Sequence, residues 1–142
     1  MWRLDGAREA GYAVLVEGES DCHTLWHHGV ARNWKEEWAE HLDAIEKVYA
    51  VVEPDQGGAT FERRLATSSV RERQYLVRLD GAKDVSDLHI QNPERFKEKL
   101  RVAFKGARRW ADEVRAVAEA RIRGAWEACQ ELGPRLTMRP VS

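Results

Sequence analysis

Two five-residue apolar runs, Tyr12-Ala13-Val14-Leu15-Val16 and Val48-Tyr49-Ala50-Val51-Val52, constrain the fold of this chain more than any other feature of it. Each is rich in β-branched residues, too short for a buried helix, and cut off by acids with glycine or proline: Glu17-Gly18 after the first, Glu53-Pro54-Asp55 after the second. Short runs that are apolar at every position read as strands covered on both faces, as in parallel sheets flanked by helices. Helical segments follow both. Ser20 is placed to cap a helix over 21–28 that Gly29 ends, and Gly57-Gly58 leads into a helix carrying Phe61 and Leu65. Asn33, with Glu36 three residues on, opens a further helix through a capping box, and Trp34, Trp38 and Leu42 give it an apolar stripe. A third strand is predicted over 74–79, before the Asp80-Gly81 turn. Strands alternating with helices imply an α/β fold with a mostly parallel sheet.

At 142 residues the chain is long enough for one substantial core and too short for two large domains. Its 23 Lys and Arg against 24 Asp and Glu leave a net charge of −1, which excludes a globally basic nucleic-acid coat; any such contact must be local. Basic residues do cluster at 63–78 and 97–109, but acids interleave with them, so a solvated, salt-bridged surface competes with a nucleic-acid face. The apolar runs fall far short of the ~20 residues that span a bilayer, and the N-terminus lacks the apolar stretch of an export signal, so no membrane association and a cytoplasmic location are expected. Two distant cysteines, Cys22 and Cys129, cannot form a disulfide framework. Cys22, His23, His27 and His28 crowd one short helix, where a transition-metal pair at i, i+4 competes with a plain solvated face.

Asn92-Pro93 is a strong helix start, and apolar residues from Phe96 through Trp110, Val114 and Ile122 to Leu132 follow a heptad with one stutter. A single helix running to Gly133-Pro134 would be roughly 60 Å long, more than a small domain covers, and would suit self-association or docking onto a neighbouring domain. This reading divides the chain into an α/β domain over 1–92 and a long helical extension over 93–142. A break at Gly106 or Gly124 is the alternative.

In a parallel sheet, the residues just past the C-terminal strand ends share one edge, where such folds bind ligands. Glu17, Glu53 and Asp55 all fall there, and clustered carboxylates are electrostatically poor unless a cation neutralises them. Oxygen-only ligation favours Mg²⁺ or Mn²⁺. Gly18, Gly57 and Gly58 would let backbone approach a phosphate at helix N-termini. Acids at helix starts also complement the helix dipole, and spacing alone leaves both readings open.

Val16-Glu17-Gly18-Glu19-Ser20-Asp21 resembles the first motif of the Toprim domain, shared by topoisomerases, bacterial-type primases and some nucleases. Glu53-Pro54-Asp55 is similar to its Asp-x-Asp second motif, with Glu in place of the first Asp, and Lys83-Asp84-Val85-Ser86-Asp87 resembles the Lys-Asp-x-x-Asp segment of primase-type and mobile-element members. The resemblance covers roughly residues 10–100 and implies a Toprim-like, Rossmann-like fold. It implies a general acid or base at Glu17, which also touches metal, with Glu53 and Asp55 as the Mg²⁺-binding pair. Asp21, Lys83, Asp84 and Asp87 are implied as further catalytic or supporting residues, the Lys meeting phosphate. Family members fit a whole strand between the first two helices, so the short 29–32 stretch leaves the second strand missing or vestigial. The function expected is that of a primase-type module of a DNA replication or mobile-element protein. It would carry out Mg²⁺-dependent nucleotidyl-transfer chemistry on DNA, RNA or nucleotides, with other primase or helicase domains as partners. A Toprim nuclease and a non-catalytic assembly module are the alternatives.

Overall fold

The computed structural model describes residues 4–27, 32–33 and 42–132. The chain divides into two units, 1–111 and 112–142. In the first, helix α1 (Leu4–Ala10) precedes strand β1 (Tyr12–Val16), α2 (Glu19–His27) and β2 (Arg32–Asn33). There follow β3 (Lys47–Val51), α3 (Gln56–Ala66), β4 (Gln74–Val77), α4 (Val85–Gln91), α5 (Phe96–Lys105) and β5 (Arg108–Arg109). The sheet order is β2-β1-β3-β4-β5, with every pair parallel except β4 with β5.

The alternation within each strand sorts the core into two layers. Leu15, Val48, Ala50 and Leu76 point to one face, where Phe61 and Leu65 of α3 cover them together with Leu42, Ile45 and Val70. Val14, Val16, Val51 and Val77 point to the other, under Leu25 of α2, Val85 and Leu88 of α4, and Phe96 and Leu100 of α5. Burial on both faces explains why β1 and β3 read as unbroken apolar runs. On the second face the ring of Tyr49 lies 5.5 Å from that of Tyr75 and 5.0 Å from that of Phe104. Arg73 staples the approach to β3 by donating to the carbonyls of Leu42, Asp43 and Ile45.

The second strand, read from the sequence as missing or vestigial, is the two-residue β2, paired in parallel with the end of β1. Other sequence expectations change. The capping box at Asn33 and the stripe of Trp34 and Trp38 lie outside the described residues, while Leu42 is buried in the core. The single long helix after Asn92-Pro93 is interrupted: α5 ends at Gly106, and Arg108–Arg109 pair antiparallel with β4 before α6 (Trp110–Leu132) begins. Pairing satisfies the backbone of an otherwise open β4 edge, and Arg109 adds two bonds to the Glu72 carbonyl, so sheet completion outweighs helix continuity at a residue with poor helix propensity. Residues 93–109 therefore belong with the α/β unit. In the second unit, no residue of α6 is buried; Val114, Val117, Ile122 and Trp126 are exposed, and so is Cys129. No described helix is long and apolar enough to cross a membrane.

Phe96 is fully buried and packs edge-to-face on His89. Phe96→Ala is expected to cost about 3–5 kcal/mol in urea denaturation with an unchanged slope, whereas Val102→Ala, at an exposed position of the same helix, is expected to stay within about 0.5 kcal/mol.

Candidate functional site

Strands β1, β3 and β4 are adjacent and parallel, so their C-terminal ends meet at one edge. The connection from β1 leads to β2 on one side, and β3 lies on the other; the crevice between β1 and β3 is thus the topological switch point where ligands bind in folds of this kind. Three loops open onto that edge. The β1–α2 loop carries Glu17 and leads to Asp21, the β3–α3 loop carries Glu53 and Asp55, and the β4–α4 loop carries Lys83 and Asp84.

Carboxylate oxygens of Asp21, Glu53 and Asp84 lie within 4.8 Å of one another. At that separation and an effective dielectric constant of about 20, each ionised pair repels by roughly 3 kcal/mol. Lys83 answers only part of this. Its ammonium stands 3.9 Å from Glu53 Oε2 and 4.0 Å from Asp84 Oδ2, but the side chain is 62% exposed, and exposed pairs contribute about 0–1 kcal/mol. The remaining repulsion suits a site built for a cation. An all-oxygen donor set of this size suits Mg²⁺ or Mn²⁺ and is unlike a zinc site. Among the described residues, His23 and His27 join no such group.

Each acid is set by its local structure. Asp21, 3% exposed, accepts from the Ser86 backbone N–H at 2.9 Å and from the Ser86 hydroxyl at 2.7 Å, which ties α2 to the first turn of α4. Asp84 is the N-cap of α4 and accepts from Asp87 N–H at 2.7 Å, while Asp87 accepts from Lys83 N–H and from Gln91. Asp87 thus secures the helix start rather than joining the three oxygens. Asp55 is the N-cap of α3, accepting from Gly58 N–H at 3.0 Å.

Of the three glycines, Gly58 is buried, Gly57 is exposed and Gly18 is half-buried. A Cβ on Gly58 would drive into the Glu53 carbonyl and sit 2.9 Å from its nitrogen, so this glycine lets α3 press against the backbone that carries Glu53. A Cβ on Gly57 would lie 3.0 Å from Glu17 Oε2 and 3.1 Å from Asp55 Oδ1, so both carboxylates lie close to the same helix start. Gly18 has only ordinary contacts, to Ser20 and Asp21. The sequence expectation of glycines making way for a phosphate is therefore replaced, at Gly58, by packing of α3 on the β3–α3 loop.

Glu17 and Glu53 both carry carboxyls pushed above the ordinary range. For Glu17 the largest cause is desolvation, followed by the charge of Asp55 and opposed by Arg64; Asp21 adds to the rise and Lys83 reduces it. For Glu53 desolvation again leads, then Glu17 and Asp21, with Lys83 opposing. Glu17, Asp21, Glu53 and Asp55 therefore share one electrostatic field. Of these, Glu17 and Asp55 stand beside the three-oxygen group rather than within it. The sequence placed Arg64 only within a basic cluster, whereas its charge acts on Glu17 from α3, and it did not single out Ser86, which lay inside a recognised motif but showed no chemistry until α2 and α4 came together. Several other arginines are engaged locally: Arg71 with Glu72, Arg78 with Glu62, Arg95 with Glu98 and Arg63 with Thr60.

The raised carboxyls fix the pH dependence of the cation-free protein. Between the ordinary value of 4.5 and their raised values, the folded state holds more protons than the unfolded state, so the contribution of these groups to stability falls as pH rises through that window. Glu17→Gln and Glu53→Gln are each expected to raise the melting temperature at pH 7 without divalent cations and to flatten this decline. Destabilisation by both at pH 7 would show that their charges are satisfied in the fold.

No family profile matches the sequence, and no curated protein is significantly similar to it. Solved structures do match. The RNA polymerase domain of the Mycobacterium tuberculosis primase DnaG aligns with a TM-score of 0.64 and 15% identity, covering 95% of this chain and 49% of that one. The same domain in complex with a double-stranded DNA oligomer with a 6-nucleotide overhang gives 0.55 and 16%, over 75% of this chain and 39% of that one. The zinc-binding and RNA polymerase domains of the Aquifex aeolicus primase give 0.54 and 21%, over 74% and 28%. This chain thus spans about half or less of the structures it matches, and at these identities the likeness is one of fold. The chain has the mixed α/β, Toprim-like architecture found in the RNA polymerase domains of DnaG-type primases.

Proposed function

We propose that the chain is a primase-type module of a DNA replication or mobile-element protein that supports Mg²⁺- or Mn²⁺-dependent nucleotidyl transfer. The observation that carries the reading is the convergence of Asp21, Glu53 and Asp84 on one point at the switch edge of a primase-like fold. These three would hold the cation, and Asp55 and Glu17, whose carboxylates lie near Gly57, would add negative charge beside it. The bound ion would neutralise phosphate and polarise it toward attack. Around it, Lys83 is exposed at the rim and supplies a mobile positive charge for a phosphate, while Asp87 holds the turn that carries Lys83 and Asp84. Glu17, whose carboxyl takes up a proton more readily than an ordinary glutamate, is the group assigned to accept a proton from an attacking hydroxyl or return it to a leaving one.

The substrate is a nucleic acid strand or nucleotide, and the remaining polymerase parts come from other domains or chains. Helix α6, with exposed Val114, Val117, Ile122 and Trp126, is the element assigned to meet them or a second copy of itself. Cleavage of nucleic acid by this chain alone would instead favour the nuclease alternative, and absence of divalent binding the non-catalytic one.

Titration with Mg²⁺ or Mn²⁺ monitored by thermal denaturation tests the reading. At a hundred times its dissociation constant, the ion is expected to stabilise the wild type by about 2.7 kcal/mol, and the Glu53→Ala, Asp84→Ala double variant is expected to show no shift. Asp55→Asn keeps an N-cap and removes only a neighbouring charge, so it is expected to weaken the ion by less than about tenfold. Complete loss of binding in Asp55→Asn would make Asp55 a direct ligand, and a shift retained by the double variant would move the site elsewhere.

A further inference from the structure

We propose that Ser86 is a positioning residue of this centre: its hydroxyl fixes the Asp21 carboxylate in the orientation that lets Asp21 complete the oxygen cluster with Glu53 and Asp84. The inference rests on the reading of that cluster as a divalent-cation site.

Asp21 is the most enclosed of the three acids. At 3% exposure it has almost no water to satisfy or orient its carboxylate, so protein donors must do so. Ser86 supplies two of them, and both fall on the same oxygen: the backbone N–H and the hydroxyl each donate to Oδ1. Two donors converging on one oxygen fix the plane of the carboxylate as well as its position, and they leave Oδ2 for other partners. Oδ2 lies toward the β1–α2 loop, 3.7 Å from where a Cβ on Gly18 would stand. The donors come from 65 residues away, on a different helix, so the orientation is a property of the tertiary fold and not of α2 alone.

Proton bookkeeping gives the hydroxyl a definite direction. A carboxylate oxygen accepts and cannot donate, so the single proton of Ser86 goes to Asp21. Thr24 Oγ1 stands 3.2 Å from Ser86 Oγ and is also 3.0 Å from the Ser20 carbonyl, to which it donates. Whenever Thr24 turns its proton to Ser86, the chain runs Thr24 to Ser86 to Asp21, ending on the acid. Position adds a second constraint. Ser86 lies two residues after Asp84 in the same helix start, so one turn of α4 both contributes an oxygen of the cluster and orients the oxygen that α2 contributes. A hydroxyl with only a packing role would need neither the short bond nor this placement.

Groups that hydrogen-bond to a metal-ligating side chain commonly set affinity by about 10- to 100-fold. The test uses Mn²⁺ alone, with binding read from the loss of the free-ion electron paramagnetic resonance signal, on the full chain as wild type, Ser86→Ala, Ser86→Thr and Ser86→Val. Melting temperatures are recorded without divalent ions. The expected result is Mn²⁺ binding weakened by about 10- to 100-fold in the Ala and Val variants, near wild-type in Thr, with similar ion-free melting temperatures for Thr and Val. The Thr and Val side chains match in shape and differ in the hydroxyl, so their comparison holds even where Ala folds poorly. Equal binding by Thr and Val, or losses of affinity that follow ion-free stability, would overturn the role of Ser86 while leaving the cation site in place. A wild type that binds no Mn²⁺ would overturn the cation reading and this inference with it.

Discussion

Parallel pairing of β1, β3 and β4 is the constraint on which the rest of this structure depends. Strands that run the same way deliver their C-terminal ends to one edge, and here each end opens into a loop that carries acids. Antiparallel pairing of any two would send Glu17 and Glu53, or Glu53 and Asp84, to opposite ends of the sheet. The hydrophobic sandwich above and below β1 and β3 enforces this alignment, because a slip of one residue would exchange their two faces and strand Leu15 and Ala50 on the wrong helical layer.

Convergence of like charges opposes folding, and the chain counters it with local devices. Gly58 lets α3 close on the backbone of Glu53, Asp55 and Asp84 cap the helices that begin beside them, and Ser86 holds Asp21 through two hydrogen bonds. Lys83 and Arg64 both bring positive charge to the edge. What these devices hold in place is repulsion that they do not fully cancel, an arrangement consistent with the divalent-cation site proposed above.

Much of this was legible in the residues. The run Tyr12–Val16 matches β1, and β3 begins only one residue earlier than its apolar run suggests, because continuous apolar patterning leaves few other fates for such segments. Phe61 and Leu65 are buried from the helix expected to carry them. Three further elements, α1, α4 and β5, were not visible in the sequence. Both α1 and α4 are only seven residues long, and β5 exists solely because β4 offers an edge. At the site, the acids at the strand ends were legible as a group, but their partition was not. Asp21 reads as a supporting acid on α2, yet it stands with Glu53 and Asp84; Asp55 reads as a partner of Glu53, yet its side chain turns to cap α3. Spacing along the chain does not determine which oxygen of a carboxylate faces which neighbour. That depended on α4 arriving beside α2.

The proposed chemistry depends on Asp21, Glu53 and Asp84 forming a divalent-cation site at the switch point of the sheet. Crystals grown with Mn²⁺ and measured for anomalous scattering at the manganese edge test it directly. The expected result is one dominant anomalous peak bonded to oxygens of those three side chains at about 2.1–2.3 Å, close to the distances of hard divalent cations. A structure with no peak at that edge, or with the ion held instead by His23 and His27, would contradict it.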